Sequence, residues 1–179
     1  IKQRAEGELK RVREEMYGIA RTVLKDKPGA PEMPDTPTAE QQQKAIEAAL
    51  ELAYADKPAR DKVVEAAEAA LASSTDFVRA KDLMTLPDSP VKIITMPEFQ
   101  RGVAVACADS PGPLDKGLDT FYAVSPIPEE WDDKQVDSFL RENNNRMIHL
   151  LSIHEGTPGH YLEGWHSAKF PSTLRAVLR

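Results

Sequence analysis

MIHLLSIHEGTPGHYLEGW, residues 147–165, contains both a helical pattern and its interruption. Before the interruption, one helix face is formed by residues at offsets of three, four and seven: Met147, Leu150, Leu151 and His154. Pro158 has no N–H, and its ring clashes with the carbonyl four residues back in a helix, so a straight helix cannot continue through it. The helical pattern resumes at Tyr161 and runs to Trp165. The stretch therefore predicts two helical segments joined by a bend at Pro158 and Gly159.

Two histidines flank this bend. A histidine followed directly by glutamate on a helix is typical of zinc peptidases, in which two histidines four residues apart hold the metal. His160 lies six residues after His154, and an α-helix turns ~100° per residue, so a straight helix would leave the two about 120° apart. Pro158 and Gly159 allow a bulge that returns His160 to the face of His154. We therefore expect His154 and His160 to bind zinc.

Glu155 is the candidate catalytic residue of the same segment. Histidine nitrogens bind Zn²⁺ at ~2.0–2.1 Å and leave a position open to water. Glu155 would take the proton of that water and pass it to the leaving amine. The alternative interpretation is a polar helix with a proline kink and no metal.

The first part of the chain, residues 1–87, is predicted to be helical. An apolar stripe at helical spacing predicts a helix to about residue 25: Leu9, Val12, Met16, Ile19 and Val23. Thr38 with Gln41 forms a capping-box pattern that begins the second helix. Pro58 suits the first turn of a third helix. Ser74 or Thr75 is expected to cap a short fourth one.

The middle of the chain, residues 88–128, is predicted to form a small sheet. The stretches 91–95, 103–107 and 120–124 are rich in β-branched or other strand-forming residues. The turn residues between them include Lys116 and Gly117. Residues 129–179 return to helical patterns, with a break predicted at Asn143 to Asn145. We therefore predict a mainly α fold with a small antiparallel β-sheet (α+β).

Composition limits the classes of partner. The 179 residues carry a formal net charge of −6 and no basic cluster, which argues against nucleic acid as a main partner. No apolar run approaches the ~18 residues that span a bilayer. The single cysteine, Cys107, excludes an internal disulfide and is interpreted as a small buried hydrophobe. These features leave both an exported and a cytoplasmic location open.

The segment HEGTPGHYLE, residues 154–163, resembles the motif His-Glu-x-x-Pro-Gly-His-His-Leu-Gln of a bacterial family known as domain of unknown function 885. That family is similar to gluzincin peptidases, whose fold is larger and mostly helical. The resemblance implies a zinc cofactor and a peptide substrate. Tyr161 stands where the family often has a second adjacent histidine, so that position is not expected to be an obligatory ligand.

A second resemblance lies upstream and extends the similarity to about residues 90–175. Pro111-Gly112-Pro113-Leu114 followed by Thr120 to Val124 resembles the strand that precedes the active-site helix in such folds. That strand is an edge that can pair with an extended peptide. The resemblance implies that Tyr122 and Ala123 contact substrate, and packing is the alternative role for Tyr122.

The family has a further motif, Glu-Gly-Trp-Ala-x-Tyr-x-Glu, whose first glutamate is the expected third ligand. Glu163-Gly164-Trp165-His166 is superficially similar but lies too close to His160, so Glu163 is expected to orient His160 and not to bind the metal. Both ends of the chain lie inside helical patterns, and we expect it to be a fragment, inactive alone, whose third ligand comes from the rest of its polypeptide. Two alternatives stay open: a metal amidase or esterase on the same scaffold, and a non-catalytic binding protein with a degenerate site.

Overall fold

The structure is a computed structural model, and it describes residues 1–102, 104–112, 115, 117–170 and 172–177. It divides into two compact units, residues 1–56 and residues 57–179. Several positions of the sequence predictions lie outside the described residues: Lys116 of the predicted turns, Pro113 and Leu114 of the resembling stretch, and Val103 of the predicted second strand. Leu178 and Arg179 also lie outside them.

The first unit is a pair of helices, α1 (Lys2–Val23) and α2 (Ala39–Ala55). The predicted capping box is confirmed: the Thr38 hydroxyl accepts the Gln41 N–H, and the Gln41 side chain accepts the Thr38 N–H. Three residues of this unit's core come from α1 and the turn after it, and one comes from α2: Tyr17, Ala20, Leu24 and Ala45. The stripe that predicted α1 is not its packing face, since Leu9 and Ile19 are more than 60% exposed.

The second unit begins with a 3-10 turn, Arg60–Lys62, that leads into α3 (Val63–Ala80). The prediction of a separate fourth helix capped by Ser74 or Thr75 is wrong, because α3 runs unbroken through both positions. The Ser74 hydroxyl donates instead to the carbonyl of Leu71, one turn earlier. A serine in mid-helix can satisfy its hydroxyl in this way without ending the helix.

The sheet consists of β1 (Lys92–Thr95), β2 (Ala106–Asp109) and β3 (Phe121–Val124) in the order β1-β3-β2. β2 pairs antiparallel to β3, as predicted, but β1 pairs parallel to β3, so the sheet is mixed. A parallel pair needs a crossover connection, and the chain from β1 to β3 passes through β2 on the way. The fold class, mainly α with a small sheet, is confirmed.

The core of the second unit lies between α3, the sheet and the helices that follow it. Its buried members come from all of these elements: Val63, Ala67, Ala70, Leu71, Val91, Ala106, Tyr122, Val124, Ile127, Val136, Leu140 and Ile148. The small residues of α3 let the helix that carries the candidate site approach it closely.

The remaining helices are α4 (Asp133–Glu142), α5 (Asn145–Leu151), α6 (His160–Ala168) and α7 (Thr173–Val177). The predicted break at the asparagines is confirmed. The Asn143 N–H closes the last turn of α4 on the Phe139 carbonyl, and the Asn144 side chain accepts the N–H groups of Arg146 and Met147 to begin α5. Among the helices in the described ranges, none combines the length and apolarity that a bilayer crossing requires.

Candidate functional site

The helix that carries His154 widens before it breaks. α5 passes into a π-helical turn, Ser152–Gly156, Thr157 is extended, and α6 begins at His160. The peptide bond between Thr157 and Pro158 is cis. A π turn adds a residue to a helical turn, and such turns are frequent at functional sites. The predicted interruption is therefore present, although the widening begins at Ser152, before the proline.

The two histidine rings lie close together. The ring centres of His154 and His160 are 4.7 Å apart, and their planes meet at 83°. Two imidazoles that bind one zinc ion at ~2.0–2.1 Å in tetrahedral geometry have ring centres about 5 Å apart. The separation of the two rings is therefore close to that of two ligands of one ion. Both side chains are more than half exposed.

Glu155 is fixed between the histidines and the sheet. Its side chain is only 13% exposed, and its Oε2 accepts the backbone N–H of Ala108 in β2 at 3.0 Å. Its Oε1 lies 3.9 Å from Nε2 of His154. The carboxylate thus has one oxygen on the sheet and the other on the histidine side.

Two buried hydroxyls, those of Ser152 and Tyr122, form hydrogen bonds on the inner side of the π turn. The Ser152 hydroxyl donates to the Ile148 carbonyl at 2.9 Å, and the Tyr122 hydroxyl lies 3.2 Å from Ser152 Oγ, which leaves Tyr122 as donor. Burial raises the pKa of Tyr122; the hydrogen bond with Ser152 opposes that rise, and the negative charge of Glu155 adds to it. The neutral donor is therefore the favoured form.

Two glycines of the segment have close neighbours, and those of Gly159 are backbone atoms that cannot rotate away, whereas that of Gly156 is the end of a side chain. A Cβ on Gly159 would lie 1.9 Å from the carbonyl oxygen of His154 and 2.3 Å from that of Ile153. A Cβ on Gly156 would lie 2.5 Å from Cδ1 of Leu71 on α3. Gly159 was expected to adopt backbone angles that other residues avoid, and its φ of −73° with ψ of −139° lies outside the helical and extended regions. Its role is to let the π turn fold back on the start of α6.

Residues on α6 tie the site to the segment before β1. The Tyr161 hydroxyl donates to the Ser89 carbonyl at 2.8 Å, and a ring nitrogen of His166 lies 3.0 Å from the Thr85 carbonyl. A carboxylate oxygen of Glu163 lies 3.8 Å from Nδ1 of His160, near that ring but beyond hydrogen-bond distance.

Tyr122 and Ala123 do not lie at an edge. β3 is the central strand, paired on both sides, and both residues are at most 1% exposed. The prediction that this strand could pair with an extended peptide is wrong, because its two backbone sides bond to β1 and β2. The edge beside Glu155 belongs to β2.

No third ligand joins the histidines within the described residues, since these contain no group of three His, Cys, Asp or Glu side chains that could hold a metal ion.

Cys107 lies on β2 near the site. Burial raises the pKa of its thiol, and the charges of Asp109 and Glu155 add to the rise, so the thiol form is favoured.

Sequence reasoning did not find Ala108 or Ser152. Ala108 takes part through its backbone N–H, so no side-chain motif could mark it. Ser152 precedes the motif by two residues, and its buried hydroxyl is hydrogen-bonded to that of Tyr122. A buried serine inside an apolar helical face was the available signal.

These features define a mostly helical protein in which a widened, broken helix brings two histidines and a glutamate together beside a small sheet. The chain belongs to the family described as "Bacterial protein of unknown function (DUF885)", whose model matches residues 1–179. No curated protein matches it. It is similar to a solved structure from Shewanella oneidensis, described as a candidate lipoprotein of unknown function, with 28% identity and a TM-score of 0.78. The match covers 98% of this chain and 30% of that one, so the chain spans under a third of its neighbour's length.

Proposed function

We propose that the protein to which this chain belongs is a zinc-dependent hydrolase that cleaves peptides. The observation that carries the proposal is the convergence of His154 and His160, with ring centres 4.7 Å apart, beside the Glu155 carboxylate. A straight helix would hold residues six apart on different faces. The π turn and the Pro158-Gly159 break together undo that separation, and this costs the helix its regular hydrogen bonds.

The roles follow from the donor set. Nε2 of His154 and Nε2 of His160 would hold the ion, and zinc bound there would polarise a carbonyl and make water more acidic. Glu155 would take a proton from water on its Oε1 and return it to the leaving amine. Glu163 would hold the ring of His160 through Nδ1.

A zinc site needs at least one more protein ligand. In the proposal that ligand comes from the rest of the polypeptide, and the chain alone would bind zinc weakly or not at all. The neighbouring solved structure is more than three times as long as the segment it shares with this chain, so a protein of that kind has room for it.

Glu155→Gln and His160→Ala in the whole protein test the proposal. Zinc content, measured by elemental analysis after dialysis, should persist in Glu155→Gln and fall severalfold in His160→Ala. Both variants should lose hydrolysis of a peptide library. In Glu155→Gln the rate should fall by about 100-fold or more, because a general base is lost.

His149→Ala is the matched control, because His149 lies on the same helix outside the pair. Full zinc content in His160→Ala would refute the ligand assignment, and unchanged turnover in Glu155→Gln would refute the role of Glu155. Cleavage of esters or non-peptide amides without peptides would favour the alternative substrate class. A whole protein with neither zinc nor hydrolysis would favour the non-catalytic binding protein.

A further inference from the structure

The outer strand of the sheet, β2, presents backbone groups toward Glu155. Among the described strands, β2 pairs with β3 alone. The Ser125 N–H donates to the Val105 carbonyl at 2.8 Å, which shows which residues of β2 hydrogen-bond to β3. Residues opposite each other in an antiparallel pair alternate between bonded and non-bonded positions. Residues 105, 107 and 109 therefore bond to β3, while the N–H groups of Ala106 and Ala108 point away from it.

The Glu155 carboxylate accepts a hydrogen bond from one of these outward N–H groups, that of Ala108. Its Oε2 lies 3.0 Å from the Ala108 nitrogen, and the two residues are 47 positions apart in the sequence. A hydrogen bond to a charged group is stronger than one between neutral groups. The bond joins the broken helix to β2 at the residue whose orientation matters most for catalysis.

The bond also makes the two carboxylate oxygens unequal. Oε2 is held by Ala108, whereas Oε1 faces His154 at 3.9 Å and has no hydrogen bond to β2. A free glutamate side chain rotates about three bonds, and fixing it in advance removes an entropic cost from the reaction. The neighbouring histidines are more than half exposed, but this carboxylate is nearly buried.

We propose that the backbone N–H of Ala108 is a positioning group: it anchors Oε2 of Glu155 so that Oε1 is the oxygen that exchanges protons with water. This rests on the proposed hydrolase function. Since the donor is the main chain, most residue types at position 108 would preserve it, and proline would remove it.

The first test measures the anchor without any activity. Hydrogen exchange of the Ala108 amide is followed by NMR, or by mass spectrometry with residue-level fragmentation, in the whole protein. The amide should be protected in the wild type and should exchange about 10- to 100-fold faster in Glu155→Ala. Glu155→Gln, which keeps an accepting oxygen, should lie between them, and the Cys107 amide, which faces β3, should not change. Equal exchange of Ala108 in the wild type and Glu155→Ala would overturn the proposal.

The second test separates positioning from folding. Proline is tolerated in an edge strand where the N–H points outward, so Ala108→Pro removes the donor and keeps the ladder with β3. Ala108→Gly is the control that keeps the donor and loses the methyl group. Ala108→Pro should lower kcat about 10-fold with KM and zinc content near those of the wild type, while Ala108→Gly should change kcat less than 2-fold.

The outcomes distinguish the two proposals. If the wild type is active and Ala108→Pro matches Ala108→Gly, the anchoring role is refuted and the hydrolase proposal stands. If the wild type has no hydrolytic activity on any substrate, both are refuted. If Ala108→Pro disturbs the fold, as judged by the exchange of the Cys107 amide, the exchange result for Ala108 in Glu155→Ala decides.

Discussion

Gly159→Ala tests whether the approach between the π turn and α6 is as close as the structure has it. The added methyl carbon would lie 1.9 Å from the His154 carbonyl oxygen and 2.3 Å from that of Ile153, far inside the 3.0 Å below which Cβ contacts are essentially never seen. Both opposing atoms belong to the backbone, so no side chain can rotate away. The start of α6 and the end of the π turn must separate by about 1 Å.

The cost should be large for one methyl group. Overpacking a close-packed site costs typically about 1–3 kcal/mol of the free energy of unfolding, and backbone displacement puts Gly159→Ala near ~3 kcal/mol. Metal–ligand distances tolerate about ±0.2 Å. A 1 Å separation of the segments carrying His154 and His160 should therefore also abolish any zinc binding that the pair supports.

Urea unfolding followed by circular dichroism gives the free energy, with Gly18→Ala as the control. Gly18 lies inside α1 with nothing within 4 Å of an added Cβ, so alanine there should stabilise α1 by about 0.5–1 kcal/mol. A free energy of unfolding for Gly159→Ala within about 0.5 kcal/mol of the wild type would refute the reasoning.

Three further variants test the support beneath the site and the start of α5. Ser152→Ala leaves the buried Tyr122 hydroxyl without its acceptor, so the free energy of unfolding in urea should fall by about 1–3 kcal/mol, and more than in Tyr122→Phe. Because burial raises the pKa of Tyr122 above its ordinary value of 10.0, the folded state holds the proton more tightly. Stability is full below that value and should decline as pH rises above it; Tyr122→Phe should show a shallower decline, and an equal decline would contradict the assignment. Asn144→Ala removes the cap of α5 and should lower the free energy of unfolding by about 1 kcal/mol, measured as a lower urea midpoint. The control Gln3→Ala, at an exposed position, should change it very little.

The parts of the fold that local chemistry decides could be predicted from the sequence. The capping box at Thr38 and the break at the asparagines each depend on residues within one turn of one another. The convergence of the two histidines was also a local inference, because proline and glycine act on the turn that contains them. Local rules failed at Ser74, where tertiary packing on α3 outweighs the preference of serine for a cap.

Strand order could not be predicted in this way. The pairing of β1 with β3 joins residues that are nearly 30 positions apart, and strand patterns carry no information about which neighbour a strand chooses. The resemblance of residues 111–124 to an edge strand consequently led to the wrong strand. The donor at Ala108 was invisible for the same reason, because a backbone N–H becomes distinctive only after the strand order is known.

The asparagine junction between α4 and α5 has a consequence for how this gene can vary. Asn144 caps the first turn of α5, and His154 follows ten residues later in the π turn that continues α5 without a break. One inserted residue in that interval would advance His154 by ~1.5 Å and swing it ~100° around the axis. Point changes on the outer face of α5 are therefore tolerable, whereas a single-codon insertion or deletion there would separate the imidazoles while leaving nearly every helix intact.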